Sequence, residues 1–178
     1  VVGDRYEFHT RWRVAGTVEE VTDVLREAHT LPTWWPSVYL DVVTVAEGDA
    51  HGVGAAVALF TTGWLPYTLR WTLTITAVEP EVGFSFSGTG DLEGTGHWTF
   101  TQDGPEVAIT LDWHVRAGKP LLARLGWLLK PAFAANHHWA MARGQESLAL
   151  ELRRRRAATP EQRAAVPAPP PPTFRRRG

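Results

Sequence analysis

With 178 residues, 44% of them hydrophobic and 21% charged, the chain can bury one substantial core and reads as a globular protein rather than a fibrous or disordered one. It contains no Cys, which excludes disulfides, thiolate chemistry and Cys-ligated zinc, and it has no run of about 18 apolar residues, which excludes a membrane-spanning helix. The net charge of −1 hides an asymmetry: residues 153–178 carry eight Arg and one acid, Glu161, for +7, against −8 over residues 1–152.

Residues 5–15 alternate Tyr6, Phe8, Trp12 and Val14 with Glu7, His9, Arg11 and Arg13, the period-two pattern of a half-buried strand. Gly16 breaks it, and Thr17-Val-Glu-Glu20 is a capping-box pattern opening a helix over about Val18–His29. Leu31-Pro-Thr-Trp-Trp-Pro36 cannot be a long helix, because Pro36 biases Trp35 away from the α region. It reads as a tight helical turn or loop with two indoles at risk of exposure. Strands are expected at Val38–Val45, Gly54–Thr62, Tyr67–Val78, Gly83–Gly90, Gly94–Thr101 and Glu106–Arg116, the last ending at Gly118. The turns between them are short, which argues for an antiparallel meander. From Leu121 to Arg156 the pattern is helical, with Pro131 expected to kink or restart the helix. Phe133, His137, Ala140, Met141, Gly144 and Leu148 fall on one stripe, and Arg153–Arg156 complement the helix dipole. Residues 157–178, rich in Ala, Pro and Arg, are expected to be disordered, with a polyproline run at 167–172.

Nine Trp is unusual, and an indole suits a core and a ligand-binding surface equally. Strand parity puts Trp71, Trp98 and Trp113 on one face of the sheet with Leu69, Leu73, Phe100 and Leu111. A lone sheet cannot bury three indoles, and the only later segment long enough to cover them is the C-terminal helix. Parity sends His97, Asp112 and His114 to the opposite, solvated face, where polar cross-strand pairs stabilise a sheet.

The element order resembles that of the START-like or helix-grip superfamily, in its polyketide cyclase/dehydrase-like branch. The stretches that carry the resemblance are Leu31-Pro-Thr-Trp-Trp-Pro36, Gly52-Val-Gly54, Asp91-Leu-Glu-Gly-Thr-Gly-His-Trp98, Asp112-Trp-His-Val-Arg116 and Asn136-His-His-Trp-Ala-Met141. It covers about residues 5–153. It implies an α+β helix-grip fold: a curved antiparallel sheet of about seven strands wrapped around a long C-terminal helix, with two short helices after the first strand. It also implies a cavity for a hydrophobic small molecule between sheet and helix. Relatives bind lipids, sterols, polyketides or plant hormones, and some catalyse cyclisation or dehydration.

The chain is accordingly expected to hold a helix-grip domain over residues 1–156 and a basic Pro-rich tail over 157–178. Ligand contacts are expected from Trp35, Tyr39, Tyr67, Trp71, Trp98, Trp113, Asn136, His137 and Met141. Asn136 and His137 would be polar anchors, since a cavity His titrates near neutral pH and can act as acid, base or hydrogen-bond partner. Trp34, Trp35 and Tyr39 are expected at the lip of the pocket with Trp64 opposite, and Ser85 and Ser87 as possible pocket hydroxyls. The leading function is binding of a lipid- or polyketide-like molecule. One alternative is a cyclase/dehydratase-type enzyme with His137 or Tyr67 as catalytic candidates. Another is an interaction or sensor module whose tail recruits a partner. No metal and no cofactor are expected: His137 and His138 are adjacent, no HExxH occurs, and no nucleotide-binding glycine motif is present. Nucleic acid is not an expected partner, although the Arg-rich tail could touch anionic surfaces. The lack of Cys and of a signal-peptide pattern fits a cytoplasmic protein.

Overall fold

The computed structural model describes residues 5–117 and 120–174, with residues 120–129 described by backbone alone. Seven strands, β1 (Arg5–Ala15), β2 (Tyr39–Ala46), β3 (Ala56–Thr62), β4 (Thr68–Glu79), β5 (Gly83–Gly90), β6 (Leu92–Asp103) and β7 (Glu106–Ala117), form one sheet in the order β1-β7-β6-β5-β4-β3-β2. Every pairing is antiparallel. Between β1 and β2 lie α1 (Val18–Arg26), a 3-10 turn (Ala28–Thr30) and the short α2 (Leu31–Trp34). The long α3 (Pro120–Arg156) follows β7, and a short α4 (Pro160–Ala164) follows α3. This is the helix-grip fold. Gly118, the expected end of the last strand, lies outside the described residues, as do Arg175–Arg177.

The capping box expected at the start of α1 forms: Glu20 N–H donates to Thr17 Oγ1 at 3.2 Å, and Thr17 N–H donates to Glu20 Oε2 at 2.8 Å. Val21 and Val24 are fully buried beneath it. The helix stops at Arg26, short of His29, where the chain tightens into the 3-10 turn. α3 does not restart at Pro131; the helix is continuous through it. Loss of one donor N–H is outweighed by the packing of the later turns, where Met141, Gly144, Leu148 and Leu152 are all buried.

The arginines that end α3 are not the solvated run of positive charge that their composition suggests. Arg156 grips Glu20 through two bonds of 2.6 and 2.7 Å and also donates to the Ala15 carbonyl. Arg155 reaches Glu27 and Glu151, and Arg154 reaches Glu151 and the Pro167 carbonyl. Three arginines therefore tie α3 to α1 and to the following segment. That segment also departs from the expected disorder within 160–164, where Thr159 accepts from the Gln162 N–H and caps α4.

The Arg156 pair and the Thr17 amide hold the Glu20 carboxyl at about 2, below its usual value of 4.5. A depressed carboxyl adds stability above its unfolded pKa and loses it as pH falls. Glu20→Gln is expected to cost about 1 kcal/mol at pH 7, the discounted worth of a partly exposed bidentate pair. The difference from wild type should vanish between pH 4.5 and about 2. Denaturant midpoints of the two proteins across that range check it; a gap that persists at pH 2 would contradict the assignment.

Candidate functional site

The sheet's concave face and α3 enclose a cavity of about 170 Å³, where a single water needs only ~10–15 Å³. Its walls follow from strand register. Phe8 of β1 lies opposite Trp113 of β7, which lies opposite Gly96 of β6, which in turn pairs with Phe86 of β5. Where β6 carries glycine, the Phe86 and Trp113 rings meet edge to face at 4.9 Å. Trp71 packs on Trp113 at 5.3 Å and donates its indole N–H to Thr61 Oγ1 at 3.2 Å.

All nine expected contact residues, Trp35, Tyr39, Tyr67, Trp71, Trp98, Trp113, Asn136, His137 and Met141, line this cavity. Tyr6, Phe8, Phe86 and Phe133 line it too and are not among the expected ligand contacts. For β1 the signal is present, since its apolar parity already sets Tyr6 and Phe8 apart. What the sequence lacks is the β1-β7 pairing that carries them to Trp113.

The expected lip is in fact buried, and Trp35 alone of its two adjacent indoles floors the cavity. Trp34 is fully buried and Trp35 is 4% exposed. Trp35 packs against Trp12 at 5.6 Å, Trp34 at 5.6 Å and Tyr39 at 5.1 Å, and Trp12 continues to Trp98 at 5.3 Å. These indoles can sink because α3 offers Gly144 at the contact: a Cβ there would stand 2.3 Å from the Trp35 ring. Trp64 is the exposed one, at 49%, on the loop between β3 and β4. Among the described lining residues the most exposed is Arg116, near the end of β7, which pairs with Glu93.

Ser85 and Ser87 are not among the cavity's lining residues. Phe86 takes the inner position of β5, so Ser85 faces outward and bonds His97 Nδ1 at 2.8 Å. His97 pairs in register with Asp112, and Asp112 with His9, whose Nδ1 meets the Asp112 carboxylate. His114 stands 3.9 Å from Glu7. The polar row therefore lies on the solvated face, as parity requires. Among the described residues no three His, Cys, Asp or Glu are placed to hold a metal ion, and no helix is long and apolar enough to cross a membrane.

The cavity's own polar groups are few and neutral. His137 stacks on Phe8 at 3.8 Å between ring centres, with Nε2 3.4 Å from Thr10 Oγ1. Burial, and secondarily the charge of His138, push its pKa down to about 4. The expectation of a group titrating near neutrality is thus corrected, because burial removes part of the hydration that an imidazolium needs and His138 adds a like charge. Burial, with a smaller effect from Tyr6, pushes the Tyr67 phenol up to about 12, and burial alone raises Tyr39 further. Asn136 accepts from the Leu65 N–H at 2.9 Å and donates to Tyr67 Oη at 3.3 Å. At pH 7 the described residues at the centre of the site, Tyr39, Tyr67, Asn136 and His137, offer neutral donors and acceptors in an aromatic wall.

Residues 5–153 match the family model described as polyketide cyclase / dehydrase and lipid transport. No curated protein matches the chain. Among solved structures, the Thermus thermophilus protein TTHA0849 aligns with a TM-score of 0.68 at 15% identity, over 85% of this chain and 100% of its own. The Zhui aromatase/cyclase of Streptomyces sp. R1128 aligns at 0.67 and 15% identity, over 86% and 97%. A START superfamily protein of Mycobacterium smegmatis aligns at 0.61 and 14% identity, over 80% and 98%. Likeness at such identities establishes the fold.

Proposed function

The chain belongs to the polyketide cyclase/dehydrase and lipid transport family, and from that premise we propose that it binds a hydrophobic or aromatic small molecule in the cavity between the sheet and α3. The observation that carries this reading is the wall itself: Trp35, Trp71, Trp98 and Trp113 surround a space far larger than one water, and among the described lining residues the polar groups are neutral except Arg116, which pairs with Glu93. Binding sites for small organic molecules have this composition, mostly apolar and aromatic with a few placed polar groups.

Titration with a panel of flat two- and three-ring phenols and ketones, and of fatty acids, tests the reading. A bound member should quench the cavity indoles and raise the melting temperature. A ligand at 100 times its Kd stabilises by ~2.7 kcal/mol. If the whole panel leaves both signals unchanged, the cavity is a packing gap and the reading fails. Mass spectrometry of the intact protein from its own host would then give the mass of any molecule that co-purifies.

The enzymatic alternative has weaker support. A general acid or base works best with a pKa near the operating pH. His137 at about 4 and Tyr67 at about 12 sit on either side of it. Any catalysis here would rest on holding a reactive chain in one conformation.

A further inference from the structure

The hydrogen bonds beside the cavity run in one direction and end at Tyr67. The Leu65 N–H can only donate, and it donates to Asn136 Oδ1 at 2.9 Å. That bond fixes the amide, so the group facing Tyr67 is Nδ2, which also can only donate. At 3.3 Å from Nδ2, Tyr67 Oη must be the acceptor. The phenol's own proton therefore points elsewhere, and among the described residues no group accepts it. Glycine at position 63 leaves room for this amide: a Cβ there would stand 2.4 Å from Asn136 Oδ1. A turned-over amide would set Nδ2 against the Leu65 N–H, donor against donor, so the hydrogen bond holds its orientation.

We infer that Asn136 is a positioning residue that turns the Tyr67 hydroxyl proton into the cavity, so that the site takes a neutral, ring-bearing molecule with an accepting oxygen, a ketone or ether, at that point. The inference rests on the cavity being the ligand site. Three observations agree with it. Tyr67 and Asn136 both line the cavity, next to Phe133. Burial keeps the phenol protonated over the whole physiological range. Among the described lining residues the one that is ionised, Arg116, is held by Glu93, so a carboxylate ligand finds no unpaired countercharge among them. A part-buried donor that loses water to a ligand without gaining an acceptor is costly, and a ligand carbonyl would avoid that cost while a hydrocarbon of the same shape would not.

Two probes of nearly equal shape separate the cases: 2-acetylnaphthalene, which carries the accepting oxygen, and 2-ethylnaphthalene, which does not. Affinities come from tryptophan quenching and calorimetry. Wild type should favour the ketone by roughly five-fold, the worth of one net hydrogen bond. Tyr67→Phe should bring the ratio to about one without weakening the hydrocarbon. Asn136→Asp should do the same with the phenol still present, because the new carboxylate accepts from both the Leu65 N–H and the Tyr67 hydroxyl and so turns the proton away. Equal binding of both probes by wild type, or a preference that survives Tyr67→Phe, overturns the inference while leaving the cavity reading intact. Binding of neither probe by wild type overturns both. Should Asn136→Asp fail to fold, the Tyr67→Phe ratio alone decides.

Discussion

Trp35→Ala is expected to lower the unfolding free energy by about 3–5 kcal/mol, the usual cost of truncating a buried indole. Trp35 is 4% exposed and touches Trp12, Trp34 and Tyr39 on one side and the Gly144 backbone on the other. None of these neighbours can close the gap alone, since each is held by a different element. Trp34→Ala makes the matched control: Trp34 is fully buried but does not line the cavity. Both variants should lose similar stability in urea titrations at pH 7. Only Trp35→Ala should shift the size of ligand accepted, toward molecules larger by about one ring. Equal effects of the two on ligand size would show that Trp35 is core alone and not floor.

Stability should also fall by an amount on the order of 3 kcal/mol as pH drops from 6.5 to 4, because of His137. Its imidazole is stacked on Phe8 and buried, and its pKa lies at about 4 against 6.5 for a solvated histidine. Between those values the unfolded chain binds a proton that the folded chain refuses, so acid favours unfolding. The contribution is fully present above 6.5, is lost as pH falls to about 4, and changes no further below. His137→Phe keeps an aromatic ring against Phe8 and removes the titration. The test is a set of denaturant midpoints at pH 7, 5.5 and 4. Parallel slopes for wild type and His137→Phe would refute the buried neutral imidazole. The Glu20 effect begins at 4.5, so the two windows barely overlap.

Strand positions are legible because a period of two is a local property. The apolar faces of Arg5–Ala15, Thr68–Glu79 and Glu106–Ala117 each repeat within one turn-to-turn segment. The capping box at Thr17 and Glu20 is legible for the same reason. A second signal is equally local but absent from the sequence reading: Thr159-Pro-Glu-Gln162 opens α4, with Ala158 N–H donating to the Gln162 side chain at 2.9 Å. The low complexity around it masks the signal.

Other features lie beyond any local reading. Pro36 shows that Trp35 leaves the helix, but not that Gly144, over a hundred residues later, makes room for its ring. A run of four arginines looks the same whether solvated or paired; Glu151 lies within local reach on the same helix, but Glu20 and Glu27, in and beside another helix, do not. Asn136 and His137 stand out as anchors from their place on or beside the helical stripe. Only the closed fold brings the Leu65 amide and Tyr67 to the first, and Phe8 and Thr10 to the second.

By itself the sequence determined which residues share a face, because side-chain direction alternates along a strand and repeats along a helix whatever the partner. That was enough to place Trp71, Trp98 and Trp113 on the inner face and His97, Asp112 and His114 on the outer one. Only the tertiary structure decided burial, hydrogen-bond direction and protonation, because each depends on groups distant in the chain. It buried Trp34 in the core and made Trp35 a cavity wall, left His137 a neutral ring, and set the Asn136 amide against the Tyr67 hydroxyl.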